Sequence, residues 1–144
     1  LNSRGKNSLL RELVALAGQT GLVYDDQALL DAVLAREEMY STALDGGIAI
    51  PHPRRPLPYE IADSVLVVAK ASRGIPFGAP DGQLTDVFFL TASQDDTHHL
   101  HILARLCRML RDDDWVARLH ACQTPAEMIE MLTERERNVI AGSA

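Results

Sequence analysis

No stretch of this 144-residue chain approaches the roughly 20 consecutive apolar residues that a membrane-spanning helix requires. The start has no basic, apolar and small-residue succession of a secretory signal, and Leu1 stands where a methionine would begin a gene product. A segment cut from a longer product, or a processed chain, is the expectation, with residues 1–6 as a linker remnant. Cysteine is scarce. Cys107 and Cys122 are the only two, too few for a disulfide framework, and they read as buried structural thiols of a reducing cytosol. Positive charge is also in short supply: 14 Lys and Arg against 20 Asp and Glu leave a net charge of -6. The arginines are interleaved with acids, so no basic stripe exists to hold phosphate backbones, and direct nucleic-acid binding is excluded. Internal repeats, low-complexity linkers and a nucleotide-cradling glycine loop are absent as well.

What remains is an ordinary globular composition, 47% hydrophobic and 24% charged, at a length suited to one domain over 1–144. Leu9, Leu10, Leu13, Leu16 and Ala17 recur at helical spacing over Asn7 to Gly18. Asp25 or Asp26 caps a second helix to about Met39, with Leu29, Leu30, Val33 and Leu34 turned inward. Thr42 to Leu44 and Gly47 to Ile50 are strand-like. Ser64 to Ala71 and Thr85 to Thr91 are β-branched or aromatic runs that suit buried strands of one sheet. Between them RGIPFGAPDGQ holds too much glycine and proline for a regular element, and Asp81-Gly82 marks a turn.

Three helices follow. The first runs from about Thr97 to Arg111, capped by Asp95, Asp96 or Thr97, with Leu100, Leu103, Ala104, Cys107 and Leu110 as its inner stripe. The second starts at Asp112 to Asp114 and contains Trp115, Val116 and Leu119. The third opens at Thr124-Pro125-Ala126-Glu127, a capping threonine with proline at the first helical position, and carries Met128, Ile129 and Leu132. Residues 138–144 are expected to fray. Alternating helices and strands imply an α/β, three-layer sandwich, a mixed sheet with helices on both faces.

Two places carry chemistry. In Gly46-Gly47-Ile48-Ala49-Ile50-Pro51-His52-Pro53-Arg54 an apolar strand ends at a proline, and His52 stands between two prolines that restrict its backbone. A neutral imidazole held still at a strand end is a competent nucleophile near neutral pH; an ordinary surface histidine is the alternative. The second place is Asp95-Asp96-Thr97-His98-His99-Leu100-His101. His98 and His99 point about 100° apart on a helix, and no third and fourth ligands accompany His98 and His101, so a metal site is not expected. A helix start has unpaired N–H groups and positive dipole that favour a phosphate beside His99.

Arg36-Glu37-Glu38, then Ser41-Thr42, then GGIAIPHPR resemble the signature of the fructose-, mannitol- and nitrogen-type enzyme IIA domains of the bacterial sugar phosphotransferase system. GIPFGAPDGQLTDVFFL, His99-Leu100 with Leu103-Ala104, and TPAEMIEML are similar to later stretches of the same family, in the same order. The resemblance implies a cytoplasmic phosphotransferase component without cofactor or metal. His52 accepts a phosphoryl group from the histidine phosphocarrier protein, with His99 beside it and Arg36 as the active-site arginine. Thr42 lies in the supporting hydroxyl segment. Arg54 either supports phosphate or is a plain surface charge, and a helix-end cation is the alternative for Arg36. Positioning and charge stabilisation would carry the catalysis. Ala43 and Pro53 depart from the common pattern and leave the branch open. A regulatory, nitrogen-type module, as in domains fused to transcription regulators, is preferred because the chain holds neither a IIB domain nor a membrane segment. The alternatives are a sugar-uptake domain passing phosphate to a cysteine-bearing IIB domain, and a relative that binds a ligand without being phosphorylated.

Overall fold

β4 (Thr85–Ala92) forms the centre of the sheet in a computed structural model that describes residues 1–140. Val87, Phe88, Phe89, Leu90 and Ala92 are all fully buried, so both faces of the strand are covered and its middle, Val87 to Leu90, is apolar without alternation. On one side it pairs antiparallel with β3 (Val65–Ile75), and on the other it pairs parallel with β2 (Ile48–Ala49). β2 in turn pairs antiparallel with β1 (Ala43–Leu44), giving the order β1-β2-β4-β3. The sheet is therefore mixed and the fold α/β, as the sequence pattern predicts.

Residues 1–99 form one compact unit and residues from Leu100 onward a second. In the first unit α1 (Lys6–Gly18) lies against β3 and against α2 (Asp26–Met39). Their core joins Leu9, Leu10, Leu13, Leu29 and Val33 to Phe77, Phe88 and Leu90. Phe77 and Phe88 meet edge to face with centroids 5.3 Å apart, a geometry worth about 1 kcal/mol beyond the area buried. Asp25 caps α2, its Oδ1 accepting the Ala28 amide at 3.0 Å. The opening residues expected as a linker remnant are bonded to their surroundings: the Ser72 amide donates to the Leu1 carbonyl at 2.8 Å, and the Ser3 amide to Glu12 at 2.8 Å.

The strand expected to stop at Ala71 continues to Ile75. The glycine and proline content of RGIPF suggested a loop, but the ladder shifts register between Lys70 and Ile75 and absorbs the irregular segment. Gly74 serves a close approach there, since a Cβ on it would stand 2.7 Å from the Leu84 Cβ.

α3 (Asp96–Met109) begins in the first unit and continues into the second, followed there by α4 (Asp113–Ala121) and α5 (Pro125–Ile140). The expected inner stripe of α3 is corrected: Leu106 and Met109 are its buried residues, whereas Leu100 is 62% exposed and Ala104 and Cys107 are also exposed. Apolar residues occupy a wide arc of this helix, so spacing alone could not select the buried edge. Cys107 is thus not a buried thiol; Cys122 is. In α5 the buried side chains are Met128, Arg135 and Val139, and Ile129 is exposed. That helix continues through Ile140, so residues 138–140 are helical rather than frayed, and the rest of the expected tail lies outside the described residues. Among the described residues no helix is long and apolar enough to cross a membrane.

The turn from β1 to β2 passes through Gly46 and Gly47, at φ of +88° and +78°. The Asp81 carboxylate accepts the Gly46 amide at 3.0 Å and the Gln83 amide at 3.0 Å, tying this turn to the Asp81-Gly82 turn. Nothing lies within 4 Å of a Cβ placed on Gly46, so Gly46→Ala carries only the backbone penalty of the left-handed region. Urea unfolding is expected to show a loss of about 1–2 kcal/mol with an unchanged m-value.

Candidate functional site

β2 and β4 run parallel as neighbours, so the chain leaves both strands at the same edge of the sheet. His52 follows β2 and His99 follows β4, in the first turns of α3. Their rings meet with centroids 5.4 Å apart and planes inclined by 49°. This is the carboxyl edge of the parallel pair, the usual location for ligand chemistry in such sheets. Pro51 and Pro53 are buried, and the half-exposed His52 projects between them. The Thr91 amide donates to the Pro51 carbonyl at 3.1 Å, fixing the segment to β4.

His52 Nδ1 lies 2.7 Å from the Ile50 carbonyl oxygen. A carbonyl only accepts, so Nδ1 carries the hydrogen and the lone pair is left on Nε2. Burial holds the His52 pKa below its ordinary value; the Ile50 carbonyl opposes the shift, while the Arg36 and His99 charges reinforce it. Burial also lowers His99, against the pull of Asp96. Two neutral imidazoles face each other at neutral pH.

Arg36 stands in the last turn of α2. Its Nη1 donates to the Tyr40 carbonyl at 2.7 Å, and the guanidinium lies 4.4 Å over the Tyr40 ring. It therefore caps its own helix and also places a charge that His52 feels. Thr42 is buried, and its hydroxyl donates to Glu37 Oε2 at 2.7 Å while its amide donates to Oε1 at 2.9 Å. Its carbonyl accepts the Ile50 amide at 3.2 Å. The Thr42 hydroxyl hydrogen is thus spent on Glu37 rather than offered to phosphate, and the residue supports the strand that delivers His52. Arg54 is exposed and makes no hydrogen bond or ion pair with another described residue.

The start of α3 is capped by Asp95, one of the three residues the sequence offers for that place. The Asp95 carboxylate accepts the His98 amide at 2.8 Å and approaches His98 Nδ1 at 2.7 Å, so this helix end is already capped by its own acid. Those bonds hold the Asp95 pKa below the usual carboxylate range. No group of three or more His, Cys, Asp or Glu among the described residues is arranged around a metal position.

Glu37 is the residue that sequence reasoning named only as part of a motif. It is 5% exposed, binds both polar groups of Thr42, and pairs with Lys6 Nζ at 2.9 Å. Lys6 also stands 4.6 Å over the Phe77 ring. The signal was present as a carboxylate on the buried side of α2, one turn after Val33 and two after Leu29.

A family model described as phosphoenolpyruvate-dependent sugar phosphotransferase system, EIIA 2, matches residues 1–135. A nitrogen regulatory protein of Klebsiella oxytoca is 37% identical over 124 residues, covering 85% of this chain and 74% of the relative. A nitrogen regulatory protein of Bradyrhizobium diazoefficiens is 33% identical over 135 residues, covering 92% and 85%. Among solved structures, a complex of enzyme IIA mannitol with phosphorylated enzyme IIB mannitol from Escherichia coli matches with a TM-score of 0.79. It covers 93% of this chain and 91% of that chain at 20% identity, a likeness of fold.

Glu37→Ala removes the acceptor of two buried donors and the partner of Lys6 together. Urea titration is expected to show a loss of about 3 kcal/mol, larger than that of Lys6→Met, which leaves the Thr42 bonds in place. His52 binds its proton less readily in the folded chain than in the unfolded one. Its stabilising share is therefore present above about pH 6.5 and is lost as pH falls through the folded value. The wild-type urea midpoint should fall on acidification from pH 7.5, and His52→Gln should flatten that fall, leaving the part due to His99.

Proposed function

This chain belongs to the EIIA 2 family of the phosphoenolpyruvate-dependent sugar phosphotransferase system, and we propose that within that system it accepts a phosphoryl group on Nε2 of His52. The observation that carries the proposal is the contact between His52 Nδ1 and the Ile50 carbonyl, which leaves Nε2 as the nucleophile. The donor is the phosphohistidine of the histidine phosphocarrier protein. The Nε2 lone pair forms the new N–P bond as the donor's N–P bond breaks, and the donor imidazole keeps that electron pair. The proton on Nδ1 stays against Ile50, where the carbonyl dipole offsets the positive charge that develops on the ring. His99 is close enough to donate to a phosphoryl oxygen, and the Arg36 charge balances the others. A loose transition state asks for this kind of positioning and charge compensation, with no further covalent chemistry. Thr42 acts as a positioning residue, and Arg54, exposed beside His52, is available to the surface of the donor protein.

The regulatory role is the preferred one, because relatives at 37% and 33% identity over most of this chain are nitrogen regulatory proteins. In that role the phosphorylation state of His52 is itself the signal, read by a regulatory target. The alternative is onward transfer to a cysteine-bearing IIB domain in sugar uptake. The Escherichia coli complex of a similarly folded IIA with a phosphorylated IIB favours that reading.

Incubation with enzyme I, the histidine phosphocarrier protein and phosphoenolpyruvate, followed by intact mass, tests the acceptor. One phosphoryl group on the wild type and none on His52→Ala is expected, with the phosphorus bound to Nε2 by NMR. His99→Asn should slow the transfer while leaving the acceptor intact. An unmodified wild type in the presence of an active donor would overturn the proposal. Addition of a purified IIB domain separates the roles, since a sugar-uptake carrier discharges to it and a regulatory one retains its phosphate.

A further inference from the structure

Arg135 is 7% exposed and forms no ion pair with any described residue. A buried guanidinium without a carboxylate is costly, because it has given up hydration and gained no countercharge. Two of its five N–H donors are occupied: Nε donates to the Met109 carbonyl at 3.2 Å and Nη2 to the Arg108 carbonyl at 3.4 Å. These carbonyls close α3, so the negative end of that helix offsets part of the charge. Three donors remain.

The guanidinium borders a cavity of about 320 Å³ lined by Arg108, Arg111, Asp112, Arg135 and Val139, all within the second unit. Three cations meet one acid there. That acid, Asp112, already caps α4 by accepting the Trp115 amide at 3.1 Å. Asp114 and Glu134 line an adjoining hollow that Arg135 also borders, yet neither pairs with it. The volume lies in the range of small-ligand sites. Guanidinium forks match the oxygens of phosphate better than any other common anion surface, and several converging ones hold a multiply charged group.

We propose that this cavity is a binding site for a small, multiply charged oxyanion of the phosphate class, separate from the phosphoryl acceptor at His52. Arg135 supplies the buried charge, and Arg108 and Arg111 close over the anion from the exposed side. The bound anion provides the countercharge that no described residue gives Arg135 and joins the end of α3 to α5 through one ligand. Its occupancy would report the level of a phosphorylated metabolite to the helical unit, independently of whether His52 is phosphorylated.

Calorimetric titration of the full chain with pyrophosphate, against a chloride control of matched ionic strength, tests the site. Saturable binding at millimolar concentration or below is expected. Arg108→Ala/Arg111→Ala should weaken it about tenfold or more while leaving the melting temperature of the free chain unchanged, since both side chains are exposed. His52→Ala should bind as the wild type does. Arg135→Gln removes a cap from α3 and can fail to fold, so the double variant serves as the reporter. Absence of saturable binding in the wild type overturns the proposal. So does undiminished affinity in the double variant, or loss of binding in His52→Ala, which would place the anion at the acceptor site instead.

Discussion

Everything at the sheet edge that carries His52 and His99 depends on β2 and β4 being parallel neighbours. Two parallel strands deliver their ends to one side, so His52 and His99, 47 positions apart in sequence, meet without a dedicated loop. An antiparallel pairing would have sent His52 and His99 to opposite edges of the sheet. The pairing is short, and its stability comes from its surroundings. β4 is covered on both faces, and β2 is bracketed by β4 and by the β1 turn that Asp81 holds. The meeting of the two imidazoles is thus a by-product of strand direction.

In the same unit one buried polar network centres on Glu37. Glu37 is buried, and three donors converge on it: the Thr42 amide, the Thr42 hydroxyl and Lys6. Such a group stabilises when all its partners are present and destabilises when one is removed. It joins α1, α2 and the approach to β2 at a single point. The electrostatics of the surface above follow a different rule. There burial holds both histidines below the ordinary imidazole pKa, and at His52 the nearby Arg36 charge adds to it.

Much of the first unit was legible in the sequence. The α1 stripe, the Asp25 cap, the apolar β4 run and the Pro-His-Pro segment each express a local rule strongly enough to survive packing. The partnership of His52 and His99 was not readable from spacing, because it follows from a non-local strand pairing; only the family resemblance placed them together. Local rules also failed where two of them competed. The glycine of RGIPF reads as a loop, but the β3 ladder tolerates it through a register shift. α3 has apolar residues around too wide an arc for periodicity to choose its buried edge, which is why Cys107 and Leu100 are exposed. Thr42 looked like a hydroxyl for phosphate because its neighbour's demand for hydrogen bonds is invisible in one dimension. Arg135 lay unnoticed in a helix of alternating acids and arginines, since nothing in its spacing distinguishes it from the exposed ones.

The partner that orients His52 is a peptide carbonyl, not a side chain. In many histidine sites a carboxylate does this work, and a single substitution can erase it or invert the tautomer. Here the orienting oxygen belongs to the backbone two residues upstream, and every amino acid at position 50 supplies one. The choice of which ring nitrogen keeps the lone pair is therefore inherited by any descendant that keeps the strand exit, however far its side chains drift. Sequence change around His52 can alter its surroundings freely, while the imidazole keeps one tautomer as long as the main chain follows the same path.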